Sequence, residues 1–158
     1  MNWIRTAWYR WMDRELDRVV ALPEREWMEA GEWNRFIGET GERLAGKQIH
    51  REKGKVLYRN FRAPKGGEVD IVYRDGDTLV FAEVKTRTSD QFGRPGDAVN
   101  REKERLIIRG ANAWLRELNY PEVLFRFDVI EVLLLAGEPP QVKINRDSFT
   151  TPQVGPGM

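Results

Sequence analysis

The sequence predicts an α/β domain: a mixed central sheet flanked by helices, behind an extra amphipathic helix at the N-terminus. Three observations predict it. Residues 56–87 hold three β-like runs separated by turn residues, and stretches of helical periodicity lie on either side of them. Two more β-like runs follow the second of those stretches, so the chain crosses over a helix to rejoin the sheet. The chain has 158 residues, 41% of them hydrophobic, with 6 Trp, 7 Phe and 4 Tyr. That is enough apolar material for one core.

The elements follow in order. In residues 3–20, Trp3, Ile4, Ala7, Trp8, Trp11, Leu16, Val19 and Val20 fall on one helical stripe, and Pro23 ends the pattern. A helix packed on the domain or on a second subunit is favoured over a membrane-surface helix, because Asp13, Glu15 and Asp17 oppose anionic lipid. Residues 24–34 are acidic and weakly periodic, a linker or short helix. A helix over 34–52 turns Phe36, Ile37, Leu44, Ala45 and Ile49 inward and stops at Gly54. Strands are expected at 56–62, 68–74 and 78–87, joined by Pro64-Lys65-Gly66-Gly67 and Asp75-Gly76-Asp77. After a loop, a long helix over 97–118 presents Val99, Ile107, Ile108, Ala111, Trp114, Leu115 and Leu118. Strands at 124–135 and 141–145 follow, and the Pro- and Gly-containing end is expected to lack fixed structure. The expected units are a Trp-rich helical extension over 1–33, the main domain over 34–147 and a flexible tail over 148–158.

Scarce residue types narrow the chemistry. The chain has no Cys, 1 His and only two Ser, Ser89 and Ser148. Thiolate metal sites, Cys nucleophiles and His clusters are excluded. Carboxylates, lysines and arginines are left to carry any reaction. The net charge is +1, so nucleic-acid binding would need a local patch. Residues 51–110 supply one, at net +4 against −1 before and −2 after. The N-terminal apolar residues are broken by Arg5, Arg10, Asp13, Arg14 and Glu15, unlike the apolar stretch of an export signal. A soluble, cytoplasmic protein with no membrane partner is the expectation.

The informative stretch is Gly67-Glu68-Val69-Asp70-Ile71-Val72, followed ten residues later by Ala82-Glu83-Val84-Lys85. A two-residue turn at Gly76-Asp77 would pair Asp75 with Thr78. Asp70 then lies opposite Glu83, and Glu68 opposite Lys85. A turn moved by one residue, to Asp75-Gly76, would make Asp70 and Glu83 diagonal neighbours on the same face, and an odd-length loop without a bulge would send them to opposite faces. Leu79 and Phe81 share the face of Glu83 and Lys85, while Val80, Ala82 and Val84 line the other. The strand is therefore covered on both sides, which argues against a solvated charged face. Two part-buried carboxylates need a proton, a counterion or a metal. Two readings stand: Lys85 as a structural ion-pair partner, or a divalent cation that leaves Lys85 free. All-oxygen ligands suit Mg²⁺ or Mn²⁺, and with an adjacent Lys they point to metal-assisted phosphodiester hydrolysis.

Asp70 followed by Glu83-Val84-Lys85 resembles the PD-(D/E)XK nuclease motif. More of the chain, about residues 36–135, resembles the YraN-like family, bacterial proteins related to Holliday-junction resolvases. The resemblance rests on blocks in order: Gly38-Glu39-Thr40-Gly41-Glu42 with Ala45, Arg59-Asn60-Phe61-Arg62, Gly67-Glu68-Val69-Asp70 and Phe81-Ala82-Glu83-Val84-Lys85-Thr86-Arg87. Phe92-Gly93-Arg94-Pro95, Asn100-Arg101-Glu102-Lys103 and Arg126-Phe127-Asp128-Val129 complete it. The resemblance implies a restriction-endonuclease-like αβββαβ core, Asp70 and Glu83 as metal ligands, and Lys85 as the catalytic lysine. It also implies Glu42 as a helix carboxylate completing the site. Lys103 and Arg87 are implied phosphate-backbone contacts, and Arg62 joins them on the basic track.

The function expected is an Mg²⁺-dependent (or Mn²⁺-dependent) nuclease on DNA, branched or damaged DNA included, contacting the backbone without reading sequence. Two other readings stand beside it: a non-catalytic nucleic-acid binder of nuclease fold, and an assembly protein using the Trp-rich helix. A homodimer is also an expectation, since two-fold symmetry suits cutting two strands.

Overall fold

The computed structural model describes residues 13–90 and 100–151. Short 3₁₀ turns at Asp13–Asp17 and Arg25–Trp27 lead into helix α1, Ala30–Arg51. Strands β1 (Lys55–Arg62), β2 (Glu68–Asp75) and β3 (Thr78–Arg87) follow, then helix α2 (Arg101–Glu117), β4 (Leu124–Leu133) and β5 (Gln141–Phe149). The sheet order is β1-β2-β3-β4-β5. Only β3 and β4 run parallel; the other neighbouring pairs are antiparallel. The one crossover carries α2, as a parallel connection requires. The α/β class, the mixed sheet flanked by helices and the restriction-endonuclease-like αβββαβ order are therefore the architecture of the molecule.

Each face of the sheet has its own core. On one, Ile37, Leu44, Ala45 and Ile49 of α1 pack on Ile71, Tyr73, Val80, Ala82, Ile130 and Val132. On the other, Ile107, Ala111 and Leu115 of α2 pack on Phe61, Val69, Val72, Leu79, Phe81 and Phe127. The alternation along β3 explains the division, with odd positions toward α2 and even positions toward α1. It also places Glu83 and Lys85 on the α2 side.

Several boundaries differ from the sequence reading. Of the expected helix over 3–20, residues 3–12 lie outside the described residues. The rest ends as a 3₁₀ turn at Asp17, leaving Val19 61% exposed. The chain is already extended there: Val20 N donates to Glu138 O (2.7 Å) and Gly137 N donates to Val20 O (3.2 Å). Leu16 is nevertheless buried in the α1-side core. Helix α1 starts a turn earlier than expected because Trp33 is buried on the same stripe as Ile37. Helix α2 begins at Arg101, since Asn100 caps it by accepting from Lys103 N at 2.9 Å. Strand β5 runs to Phe149, whose ring stacks on Phe127 at 4.9 Å. Val99 and residues 152–158 lie outside the described residues.

Candidate active site

The hairpin register meets the geometric condition. The β2–β3 ladder starts at Asp75↔Thr78 and continues through Ile71↔Ala82, where it stops. Asp70 and Glu83 are the next residues along. The strands part there, and the Val84 N–H is taken by Asp70 Oδ2 at 2.9 Å. That bond holds the Asp70 carboxylate over β3.

Beside it, the side-chain alternation breaks in two adjacent strands. On β2, Val69 joins the α2-side core while Ile71 joins the α1-side core, although residues two apart should share a face. On β1, Arg59 donates to Glu42 O of α1 at 3.1 Å, yet Phe61 packs on the α2 side. Between the last two sits Asn60 at φ +54°, in the left-handed region. Asn tolerates that conformation better than most side chains. The turn-over at Asn60 and Asp70 aims polar groups at the place where the ladder opens.

Helix α1 delivers Glu42 to the same region. Gly41 lies so close to β3 that a Cβ there would come within 1.7 Å of Thr86 Oγ1. This contact seats the helix against the strand. Asn60 hydrogen-bonds the Glu42 carboxyl, while burial lifts its pKa above the ordinary value and the Asp70 charge adds to that.

Glu83 is the most constrained group, at 3% exposure. Lys85 Nζ stands 3.4 Å and Lys103 Nζ 3.5 Å from its Oε1. Its Oε2 is buried with no hydrogen-bond partner among the described residues. Asp70 is within hydrogen-bonding reach of Glu83, acceptor against acceptor unless a proton intervenes. Burial, followed by the Asp70 charge, pushes the Glu83 carboxyl up to about 7, against the pull of Lys103 and Lys85.

Asp128 makes the contrast. It is fully buried, yet it accepts from Tyr73 Oη (2.6 Å), Arg126 Nε (2.9 Å) and Asp147 N (3.0 Å). A carboxylate so well served ties β2, β4 and β5 together, whereas Glu83 is left short of a partner.

Glu68 does not face Lys85; it pairs with Arg62 across the β1–β2 ladder and with Lys103 of α2. The cause is the parting of β2 from β3 beyond Ile71. Arg62 is exposed at the rim, and Arg87 lies two residues past Lys85 on the same strand. Glu42 is within reach of the Asp70 charge, but no group of three or more acidic or His side chains is gathered as a finished cage among the described residues. The hard oxygen donors of Asp70 and Glu83, with one oxygen orphaned, fit the nucleus of an Mg²⁺ or Mn²⁺ site that water would complete. No role was expected of Asn60; its signal was an Asn inside a strand-forming run.

The class these features define is a restriction-endonuclease-like sheet bearing paired carboxylates and a lysine where a hairpin forks. Residues 41–132 match the family described as "Uncharacterised protein family UPF0102". The chain is 46% identical over 116 residues to a UPF0102 protein of Geobacter metallireducens, covering 73% of this chain and 93% of that one. It is 42% identical over 121 residues to one from Geobacter sulfurreducens (77% and 94%). With one from Beutenbergia cavernae it shares 50% over 97 residues (61% and 81%). The chain belongs to the UPF0102 family, the YraN-like group. No helix among the described residues is long and apolar enough to cross a membrane.

Proposed function

We propose that this chain is a nuclease that hydrolyses phosphodiester bonds in DNA, branched or damaged DNA included, with Mg²⁺ or Mn²⁺ as cofactor. The observation that carries the reading is the pressing together of Asp70 and a buried Glu83 whose Oε2 has no partner among the described residues. Such a pair needs a proton, a counterion or a metal; Lys85 and Lys103 serve Oε1, and Oε2 is the oxygen left for a cation.

Asp70, fixed by the Val84 N–H, and Glu83 would hold the cation, with Glu42 reaching it through water or after a rotamer change. When bound, the cation supplies Lewis acidity and a more acidic water. Glu83 must give up any proton it holds for the site to load. The Lys85 ammonium lies beside Glu83 and stabilises charge that develops on phosphoryl oxygens. Lys103, Arg62 and Arg87 contact flanking phosphates, which fixes position without reading sequence. A homodimer would present two such sites to two strands; a strict monomer by size-exclusion chromatography at every concentration removes that arrangement.

Labelled linear, nicked, flapped and four-way DNA, incubated with Mg²⁺ or Mn²⁺, tests the reading. We expect metal-dependent cutting that EDTA stops and that Lys85→Ala lowers by about 10²-fold or more. No cutting of any substrate with either metal overturns it.

A further inference from the structure

The sheet face that carries Glu83 and Lys85 continues across β4 and β5. The register sets three rows on it: Glu83–Val129–Asn145, Lys85–Glu131–Lys143 and Arg87–Leu133–Gln141. The second and third rows line a cleft of about 380 Å³ that opens beside Lys85. Its volume lies in the range of about 300–1,000 Å³ typical of small-ligand sites.

The chemistry of the cleft is uneven in an informative way. Leu133 gives an apolar wall, Lys143, Gln141 and the acidic Asp90 stand exposed at its rim, and Ser89 lines it too. Glu131 lies between the register positions of two lysines, yet its Oε1 is buried with no hydrogen-bond partner among the described residues. The carboxylate is short of a donor, and the neighbouring cleft is where a ligand could bring one. Cations at the rim of an apolar slot suit a group that is flat and apolar on its faces, carries N–H donors on its edge and is linked to phosphates. A nucleobase on its backbone has all of these. A base stacked and paired in a duplex does not qualify, because its faces are covered by neighbouring bases and it cannot enter a slot without leaving the stack.

We propose that this cleft receives one unpaired nucleotide of the DNA, flanking the phosphate held at Lys85. Glu131 accepts from the base edge, Leu133 lies against the ring, and Lys143 and Arg87 take the phosphates on either side. The substrate class is thus DNA with an extrahelical or single-stranded nucleotide next to the cut, not continuous duplex. This rests on the nuclease reading above and names the substrate for the same site. Pocketing an unstacked base costs least where the base has no partner, which turns the cleft into a selectivity device.

The test uses the full chain and three fluorescent duplexes: fully paired, with one unpaired nucleotide, and with that nucleotide made abasic. Affinity is read by anisotropy in EDTA and relative kcat/KM by cleavage in Mg²⁺. The expected result is a preference on the order of tenfold for the unpaired nucleotide over both other duplexes. Leu133→Trp, which fills the cleft, and the isosteric Glu131→Gln should each reduce it without lowering affinity for paired duplex. The abasic arm needs no folded variant. Equal handling of the three DNAs by the natural chain, or a preference that survives both substitutions, overturns this inference and leaves the nuclease reading standing. Neither binding nor cutting of any of the three overturns this inference, and the nuclease reading falls with it only when the linear, nicked, flapped and four-way substrates are uncut as well.

Discussion

At the residue scale, Glu83 is the group on which chemistry and stability meet. Its pKa of about 7 lies above the ordinary 4.5. Between those values the folded chain holds a proton that the unfolded chain has lost. Metal-free stability therefore falls as pH rises through that window and levels off above it. Glu83→Gln should flatten that slope and raise the melting temperature above pH about 7 in EDTA, while abolishing metal-dependent cutting. Thermal melts across pH check the first part; an unchanged slope would show that the buried carboxyl is not the titrating group. Asn60 allows a similar separation. Asn60→Ala should cost about 1–2 kcal/mol in urea denaturation, because its φ of +54° suits few L side chains. Asn60→Gly should recover most of that stability but not the hydrogen bond to Glu42, so stability and metal affinity part company.

At the element scale, the site is the consequence of a hairpin that forks and a helix that leans on it. Gly41→Ala should destabilise by about 1–3 kcal/mol, since its methyl group would collide with Thr86 of β3. It should also lower metal affinity by shifting Glu42; an unperturbed melting temperature would contradict the close seating of α1. Much of this scale was legible beforehand. A two-residue turn at Gly76-Asp77 is one of the placements the sequence allows, and the structure adopts it, so Asp70 and Glu83 meet at the end of the β2–β3 ladder. What escaped depends on local breaks in that alternation. The left-handed Asn60 and the parting of strands beyond Ile71 send Glu68 to Arg62 and Lys103 instead of Lys85. A period-two pattern carries no mark of where it will be interrupted. The cleft was equally hidden, because placing Glu131 beside Lys85 requires the parallel β3–β4 register, which no local turn specifies.

At the scale of the whole molecule, two kinds of buried carboxylate divide the work. Asp128, satisfied by Tyr73, Arg126 and the Asp147 amide, joins three strands. Asp128→Ala should cost about 1–3 kcal/mol in chemical denaturation, as it leaves the Tyr73 hydroxyl and the Asp147 amide without their acceptor while Arg126 keeps Asp75. Where that variant folds, its metal affinity should match that of the natural chain. The Asp70–Glu83 pair is the reverse: Glu83 Oε2 has no partner among the described residues, and in the proposed function a cation from outside completes it. That difference is tested most directly by titrating Mn²⁺ into the metal-free protein, with the ion followed by electron paramagnetic resonance, in the natural chain, Asp70→Asn and Glu83→Gln. Saturable binding in the natural chain, lost in both variants while their circular dichroism is unchanged, is the expected result. Mn²⁺ bound equally by all three, or by none, would contradict it.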